Sequence, residues 1–367
     1  LTNTVLAWDR ESLGVDGVDE VTLSGDGRVA LAVGHDRAQV VTLASGRTRP
    51  LGERKALVRV SALSPDGRTA LVGEDGGATT VWDLDDPGHP VRRGTFHGRA
   101  TALTLTGDGR TAAVGGSDGT MTVWDLTDRA HPVRRSVTEI AEGRTEDLAM
   151  SADGRTAVTA NEDGPVTVWN LADRARPARI GALSPSIHTA TALALSADGR
   201  TLVVGRLERG AEWKSQAAIW NLADPVGPTT AAFIEPSDGE VAGAALSSDG
   251  KTALLVGEYG GVSLWDLSTP SEPVRPAGLP RLSAGGTVAL SADAGIALTT
   301  EAGGLVSRWD LGRLHDVAAD PARGLCEHGG QSMSRADWDR FTGGAKPSDY
   351  GESDELDFVF LCGLGSR

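Results

Sequence analysis

Seven Asp-Gly-type turns and six Trp-Asp or Trp-Asn dipeptides run through the chain in phase, at a nearly constant distance from one another. Together they predict an all-β fold. The expected form is a seven-bladed β-propeller of four-stranded antiparallel blades, closed by an N-terminal strand and followed by a short C-terminal helical tail. The expected boundaries are residues 1–312 for the propeller and 313–367 for the tail.

The first marker is a hairpin turn. It reads Ser24-Gly-Asp-Gly-Arg28, Ser64-Pro-Asp-Gly-Arg68, Thr106-Gly-Asp-Gly-Arg110 and Ser151-Ala-Asp-Gly-Arg155. It continues as Ser196-Ala-Asp-Gly-Arg200, Ser247-Ser-Asp-Gly-Lys251 and Ser291-Ala-Asp-Ala-Gly295. Asp tolerates such a turn, and Gly supplies its positive φ. Alternating apolar runs flank it, such as Ala102-Leu-Thr-Leu105 before and Thr111-Ala-Ala-Val114 after, the pattern of half-buried strands. The second marker reads Val81-Trp-Asp-Leu84, Val123-Trp-Asp-Leu126, Val168-Trp-Asn-Leu171, Ile219-Trp-Asn-Leu222, Leu264-Trp-Asp-Leu267 and Arg308-Trp-Asp-Leu311. In the first copy Val40-Val-Thr-Leu43 takes its place. From the first turn residue to the Trp is 18 in five copies (64 to 82, for instance), 17 in the first (24 to 41) and 24 in the fifth (196 to 220). The fifth therefore carries a six-residue insertion, within Arg206 to Ser215.

Each unit supplies four strands: a before the turn, b after it, c with the Trp, and d in stretches such as Val91 to Phe96. One four-stranded sheet cannot bury both faces, so the sheets stack about an axis. With these markers the chain resembles the WD-repeat propellers over roughly residues 4 to 312. The Gly-His pair usual before strand a in that family is absent at that place, which implies an incomplete hydrogen-bonded tetrad in every blade. Trp8-Asp9 looks like an eighth marker, but only 16 residues separate Trp8 from Ser24, against 23 to 27 elsewhere (41 to 64, 124 to 151). Residues 5 to 13 are therefore expected to form the outer strand of the seventh blade.

Beyond Gly312 the repeat stops. Asp320-Pro321 starts and Gly329-Gly330 stops one expected helix, and Ser334 to Phe341 offers a second, with Ser334 as cap and Asp337 in the box position. A polar stretch and the apolar Phe358-Val-Phe-Leu361 follow. This tail resembles the closing segment of propellers in large actinobacterial multidomain proteins at Leu325-Cys326, Ser334, Trp338 and Cys362. The resemblance implies a module of a larger regulatory protein, and Leu1 in place of Met is read the same way. Cys326 and Cys362 either clasp the tail as a disulfide or stay reduced; two cysteines alone do not complete a tetrahedral metal site. Reduced thiols fit the cytoplasm, the expected setting, and a bonded pair an extracytoplasmic one.

A net charge of −15 repels phosphate backbones, which argues against nucleic acid as a partner. No run of 18 apolar residues is available to span a membrane. Gly115-Gly-Ser-Asp-Gly119 matches a hydrolase nucleophile elbow by letter, but it falls in a b-to-c turn where sister copies read Glu74-Asp-Gly-Gly. His89 and His131 share a repeat position that Arg176 fills in another copy, so it is a loop position rather than a general base. No Cys or His set has metal-ligand spacing and no phosphate-binding Gly loop is present, so neither metal nor cofactor is expected.

Charge placement is more informative. The a-to-b turns carry Arg28, Arg68, Arg110, Arg155, Arg200 and Lys251, and the c-to-d region adds Arg129, Arg174 and Arg176. The b-to-c turns carry Glu74, Asp75, Asp118, Glu162, Asp163, Glu208, Glu212, Glu258 and Glu301. The disc is expected to be polarised, basic on one face and acidic on the other, although such sequences also serve simply as soluble turns. Trp213 in the insertion is an expected interface anchor on the acidic face, or else packs on its own blade. The function these residues point to is a non-catalytic scaffold that binds a basic protein or peptide. The alternative is an enzyme, a hydrolase or lyase working in the central channel. The inner strands Val60-Ser-Ala-Leu63, Ala102-Leu-Thr-Leu105, Leu193-Ala-Leu195 and Val288-Ala-Leu290 are small and apolar, which argues against it.

Overall fold

The computed structural model describes residues 10–52, 57–140, 143–162, 164–183, 190–208, 214–235, 239–278, 282, 286–301, 303–312, 332–334 and 358–360. Every element among them is a strand. Strand β1 is Arg10–Ser12. Blade 1 holds β2 (Glu20–Leu23), β3 (Val29–Gly34), β4 (Arg37–Thr42) and β5 (Arg47–Pro50). Blade 2 holds β6 (Val58–Leu63), β7 (Thr69–Glu74), β8 (Ala78–Asp83) and β9 (Val91–His97). Blade 3 holds β10 (Ala100–Leu105), β11 (Thr111–Gly116), β12 (Thr120–Asp125) and β13 (Val133–Glu139). Blade 4 holds β14 (Thr145–Met150), β15 (Thr156–Asn161), β16 (Thr167–Asn170) and β17 (Ala178–Ala182). Blade 5 holds β18 (Ala190–Leu195), β19 (Thr201–Glu208), β20 (Lys214–Asn221) and β21 (Thr229–Ile234). Blade 6 holds β22 (Val241–Leu246), β23 (Thr252–Gly257), β24 (Val262–Asp266) and β25 (Val274–Gly278). Blade 7 holds β26 (Val288–Leu290), β27 (Ile296–Thr300) and β28 (Val306–Asp310).

Blades 1 to 6 pair their strands in chain order, and the sheet of blade 7 runs β26, β27, β28, β1. Arg10 lies opposite Trp309 and Ser12 opposite Ser307. Beyond that strand, the Leu13 and Val18 N–H groups donate to the Val306 and Gly304 carbonyls at 3.0 Å each. Leu13, Val15 and Val18 are buried among Val21, Ala30, Leu298 and Val306, so this stretch packs on both blade 1 and blade 7. Residues 5–9 of the expected closing strand lie outside the described residues. So do both expected tail helices, apart from Ser334 at the start of the second. In the tail Ser332–Ser334 (β29) pairs antiparallel with Phe358–Phe360 (β30).

The turns explain why seven copies build one ring. In each, the first hydroxyl donates to the Asp two residues on, at 2.5–2.7 Å. That hydroxyl also accepts the N–H five residues on, at 2.9–3.0 Å. The second turn residue bonds the next blade. N–H groups of Gly25, Gly107, Ala152, Ala197, Ser248 and Ala292 donate to carbonyls of Pro65, Ala152, Ala197, Ser248, Ala292 and Gly25, at 2.7–3.1 Å. Pro65 has no N–H, and Asp66 N–H donates to Gly107 O (3.1 Å) in its stead. The circle is complete. The inner strands β2, β6, β10, β14, β18, β22 and β26 adjoin in that order, and β26 returns to β2, so they wall an axial channel.

The marker dipeptide ends strand c. Trp indole N–H groups are satisfied by hydroxyls, as Trp169 by Thr159 (3.0 Å) and Trp82 by Thr80 (3.0 Å). Buried Trp220 Nε1 finds no such partner. No histidine joins these bonds among the described residues. Opposite the Trp, strand d bulges in blades 2 to 6, whereas blade 1, which lacks the Trp, pairs without a bulge. The extra residue in blade 2 is Arg93, and it turns back to the marker Asp83 (2.9 Å).

Candidate interaction face and axial channel

The b-to-c turns carry acidic residues at the rim of one face. Of those expected there, Glu301 is buried and accepts from the Ser307 hydroxyl, so it does not join the rim. Asp75, Asp118, Glu162 and Glu258 are exposed and Glu74 is half-buried. Arg59 binds Asp75 at 2.9 Å, and its hydrogen bond and charge hold the Asp75 carboxyl below the usual range. Asp118 caps its own turn, accepting from the Thr120 hydroxyl at 2.7 Å. Glu74 lies in a cleft of about 730 Å³ between blades 1 and 2, with Arg37, Gln39, Leu51, Trp82 and Arg92.

The blade 5 hairpin differs from its sisters. In blade 3 the last b–c pair is Gly115 with Met121. Strands β19 and β20 pair three steps past the matching Gly205–Ala217 level, through Arg206–Gln216, Leu207–Ser215 and Glu208–Lys214. At about 3.4 Å per residue the ladder runs roughly 10 Å farther. The insertion thus lengthens a hairpin. Glu208 ends its first strand, while Glu212, Trp213 and Asp163 lie outside the described residues, as do Cys326 and Cys362.

The expected polarity of the disc is weaker than the turn sequences imply. The acidic face also carries Arg59, Arg37 beside Asp16 (3.5 Å) and Arg144 beside Glu146 (2.6 Å). On the opposite face, Arg28 and Arg155 each stand 3.8 Å from their own turn aspartates, Asp26 and Asp153. The cause is local: the Asp that caps each turn sits two residues before its Arg. His89 and His131 are exposed c-to-d turn residues bonded to Asp86 and Asp128 at 2.8 Å. Among the described residues no group of three His, Cys, Asp or Glu is placed to hold a metal.

The channel departs from the sequence reading. Four inner strands are small and apolar, but β2 and β14 bring in Glu20 and Asp147. Ser61 of blade 2 donates to Glu20 Oε2 (3.1 Å). The N–H of Leu193 in blade 5 donates to Asp147 Oδ2 (2.8 Å), and that of Leu148 to Oδ1 (2.7 Å). Both carboxylates therefore bridge neighbouring blades. Burial pushes the Glu20 carboxyl up to about 7, and the Asp147 charge adds to the rise. Burial also raises Asp147, against the two N–H donors. The signal was legible: each stands four residues before its turn serine, Ser24 or Ser151.

Comparison with known proteins agrees with this architecture. Residues 88–125 match the family model described as WD domain, G-beta repeat. No curated protein sequence matches the chain. Among solved structures, the chain is similar to one in the mitotic checkpoint complex (TM-score 0.66, 18% identity, covering 84% of this chain and 95% of that one). It is similar to the Myceliophteria thermophila Cps50 (Swd1) β-propeller domain (0.66, 16%, 82% and 98%). It is also similar to a chain of Kuenenia stuttgartiensis hydrazine synthase (0.62, 17%, 80% and 96%). The fold is thus a seven-bladed β-propeller, and the stretch 88–125 carries the WD-repeat signature within it.

Proposed function

We propose that this propeller is a non-catalytic protein-interaction scaffold whose partner, a protein or peptide with a basic surface, docks on the b–c face. WD-repeat propellers are commonly such scaffolds. The observation that carries the reading is the blade 5 hairpin, which extends past the level of its sisters on the face where Glu74, Asp75, Asp118, Glu162 and Glu258 gather. A loop insertion on a fixed scaffold is a usual place for contact to be gained. Trp213, in the sequence insertion, is the proposed anchor, worth on the order of 2 kcal/mol, and Glu208, Glu212 and Asp163 complete the proposed acidic set. Residues 1–312 form the propeller unit in this reading and 313–367 a tail beside it, within a larger regulatory protein. The pairing of Arg10–Ser12 with β28 is read as the closure of the ring.

Capture of the partner followed by affinity measurement tests the docking face. Trp213→Ala is expected to weaken binding by about 30-fold, the equivalent of that 2 kcal/mol. Glu208→Gln with Glu212→Gln is expected to slow association, with an effect that fades as salt rises. Undiminished binding by Trp213→Ala, with loss on Arg110→Ala and Arg155→Ala, moves the site to the opposite face.

One observation favours a second reading, catalysis in the channel: the Glu20 and Asp147 carboxylates. Against it, the inner strands supply no histidine or lysine to work with them, and both are engaged in bonds between blades.

A further inference from the structure

Glu20 and Asp147 occupy one position of the repeat, four residues before the turn hydroxyl; elsewhere that position holds Val60, Ala102, Ala192, Gly243 and Thr287. The strands that face them bring no cation to neutralise the pair. Strands β10, β18, β22 and β26 contribute no ionisable side chain. The one arginine of the inner strands, Arg59 in β6, is exposed and engaged with Asp75. Glu146, beside Asp147, is paired with Arg144, and the flanking Asp19 and Glu240 are themselves acidic.

The two carboxylates are not equivalent. Asp147 accepts two backbone N–H groups, which stabilise its charge. Glu20 accepts from one residue, Ser61, through its hydroxyl and its backbone N–H, and it feels the Asp147 charge within the ring. An enclosed carboxyl with neutral donors from one residue, no cation and a like charge nearby is most comfortable uncharged.

We propose that Glu20 is a proton-binding joint between blades 1 and 2: with its proton it sits neutral against Ser61, and releasing that proton loosens the inner wall of the ring. Release of one proton leaves a carboxylate facing Asp147, and nothing else changes hands. The sign follows from linkage. A carboxyl raised in the folded state binds its proton more tightly there than in the unfolded chain. The resulting stability is full below the ordinary glutamate value of 4.5 and is lost as pH rises towards about 7. Asp147, raised in the same direction, acts with the same sign. The joint is independent of which face binds a partner.

The test uses the full chain, unfolded by urea across this pH range, as wild type, Glu20→Gln and Asp147→Asn. The wild type is expected to lose stability as pH rises from 4.5 to about 7. Glu20→Gln is expected to flatten that fall. Asp147→Asn is expected to shift its midpoint to lower pH, because the charge that opposes Glu20 ionisation is gone. Titration of glutamate carboxyl carbons by NMR reads the joint directly: one glutamate is expected to titrate near 7 in the wild type and lower in Asp147→Asn. If Glu20→Gln does not fold, that titration decides alone. The proposal is overturned if no glutamate titrates above the ordinary range, or if Glu20→Gln keeps the wild-type pH profile.

Discussion

The residue that specifies each turn is the buried hydroxyl rather than the glycine. Six copies place Gly at the positive-φ position, but the seventh places Ala294 there at φ 58°, and its turn closes with the same bonds. What all seven share is a Ser or Thr that is at most 2% exposed and is bound to an Asp and to a backbone N–H. For Asp108, Asp153 and Asp249 burial alone would raise the carboxyl, but the hydroxyl, the backbone N–H and the adjacent Arg or Lys outweigh it and lower it. Their contribution is present above the ordinary aspartate range and is lost as pH falls through the lowered values, opposite in sign to Glu20. Replacing Ser64 by Ala removes the acceptor of the buried Thr69 N–H (2.9 Å). The expected cost is about 1–3 kcal/mol, measured by urea unfolding. Ser64→Thr should cost far less, because Thr106 makes the same bonds in blade 3. Equal losses in the two variants would show that the turn does not depend on its hydroxyl.

At the scale of elements, the second turn residue decides how closely the blades approach. It is Gly, Pro, Gly, Ala, Ala, Ser and Ala in order, and a Cβ added at Gly107 would lie 3.3 Å from the Ala152 Cβ. A branched side chain there must push the ring of turn bonds apart. Gly107→Leu is expected to cost about 1–3 kcal/mol by overpacking, with Gly107→Ala near neutral; calorimetry of the two variants checks this, and a harmless Leu would mean the ring has slack. The sequence made the blades legible because one strand–turn–strand unit is written seven times with little change of spacing. It made the strand pairing less so: the bulge that aims Arg93 at Asp83 depends on cross-strand register. The insertion looked like a loop because its length was visible and its pairing was not. Glu20 and Asp147 were overlooked because apolar alternation in the other inner strands stood for the whole channel, and a ring brings distant blades face to face.

For the whole molecule, the sequence repeat and the blade are out of step. The stretch 88–125 starts just ahead of β9, the outer strand of blade 2, and ends on Trp124-Asp125 in blade 3. That stretch therefore spans two blades. Side chains reinforce the lacing: Arg129 of blade 3 binds Asp83 of blade 2 at 2.9 Å, and Arg49 of blade 1 donates to Gly88 O of blade 2 at 3.0 Å. In the proposed closure, the last blade is short of an outer strand of its own and a segment from the opposite end supplies it. Arg10–Ser12 stands in that place, with Glu11 reaching Arg308 at 3.4 Å and Leu13 entering the core that blades 1 and 7 share. Deleting residues 1–13 exposes the edge of β28 and removes that apolar contact. A few backbone bonds at about 1 kcal/mol each and one leucine at about 2 kcal/mol give an expected loss on the order of 3–5 kcal/mol. Because the ring couples every blade to two neighbours, the loss should appear as a lower midpoint for the whole unfolding transition. A peptide of residues 1–18 added in trans should restore much of it by reoccupying the edge. A truncated chain that melts within a degree or two of the parent would mean that the turn ring and the inner wall hold blade 7 to blade 1 without the strand.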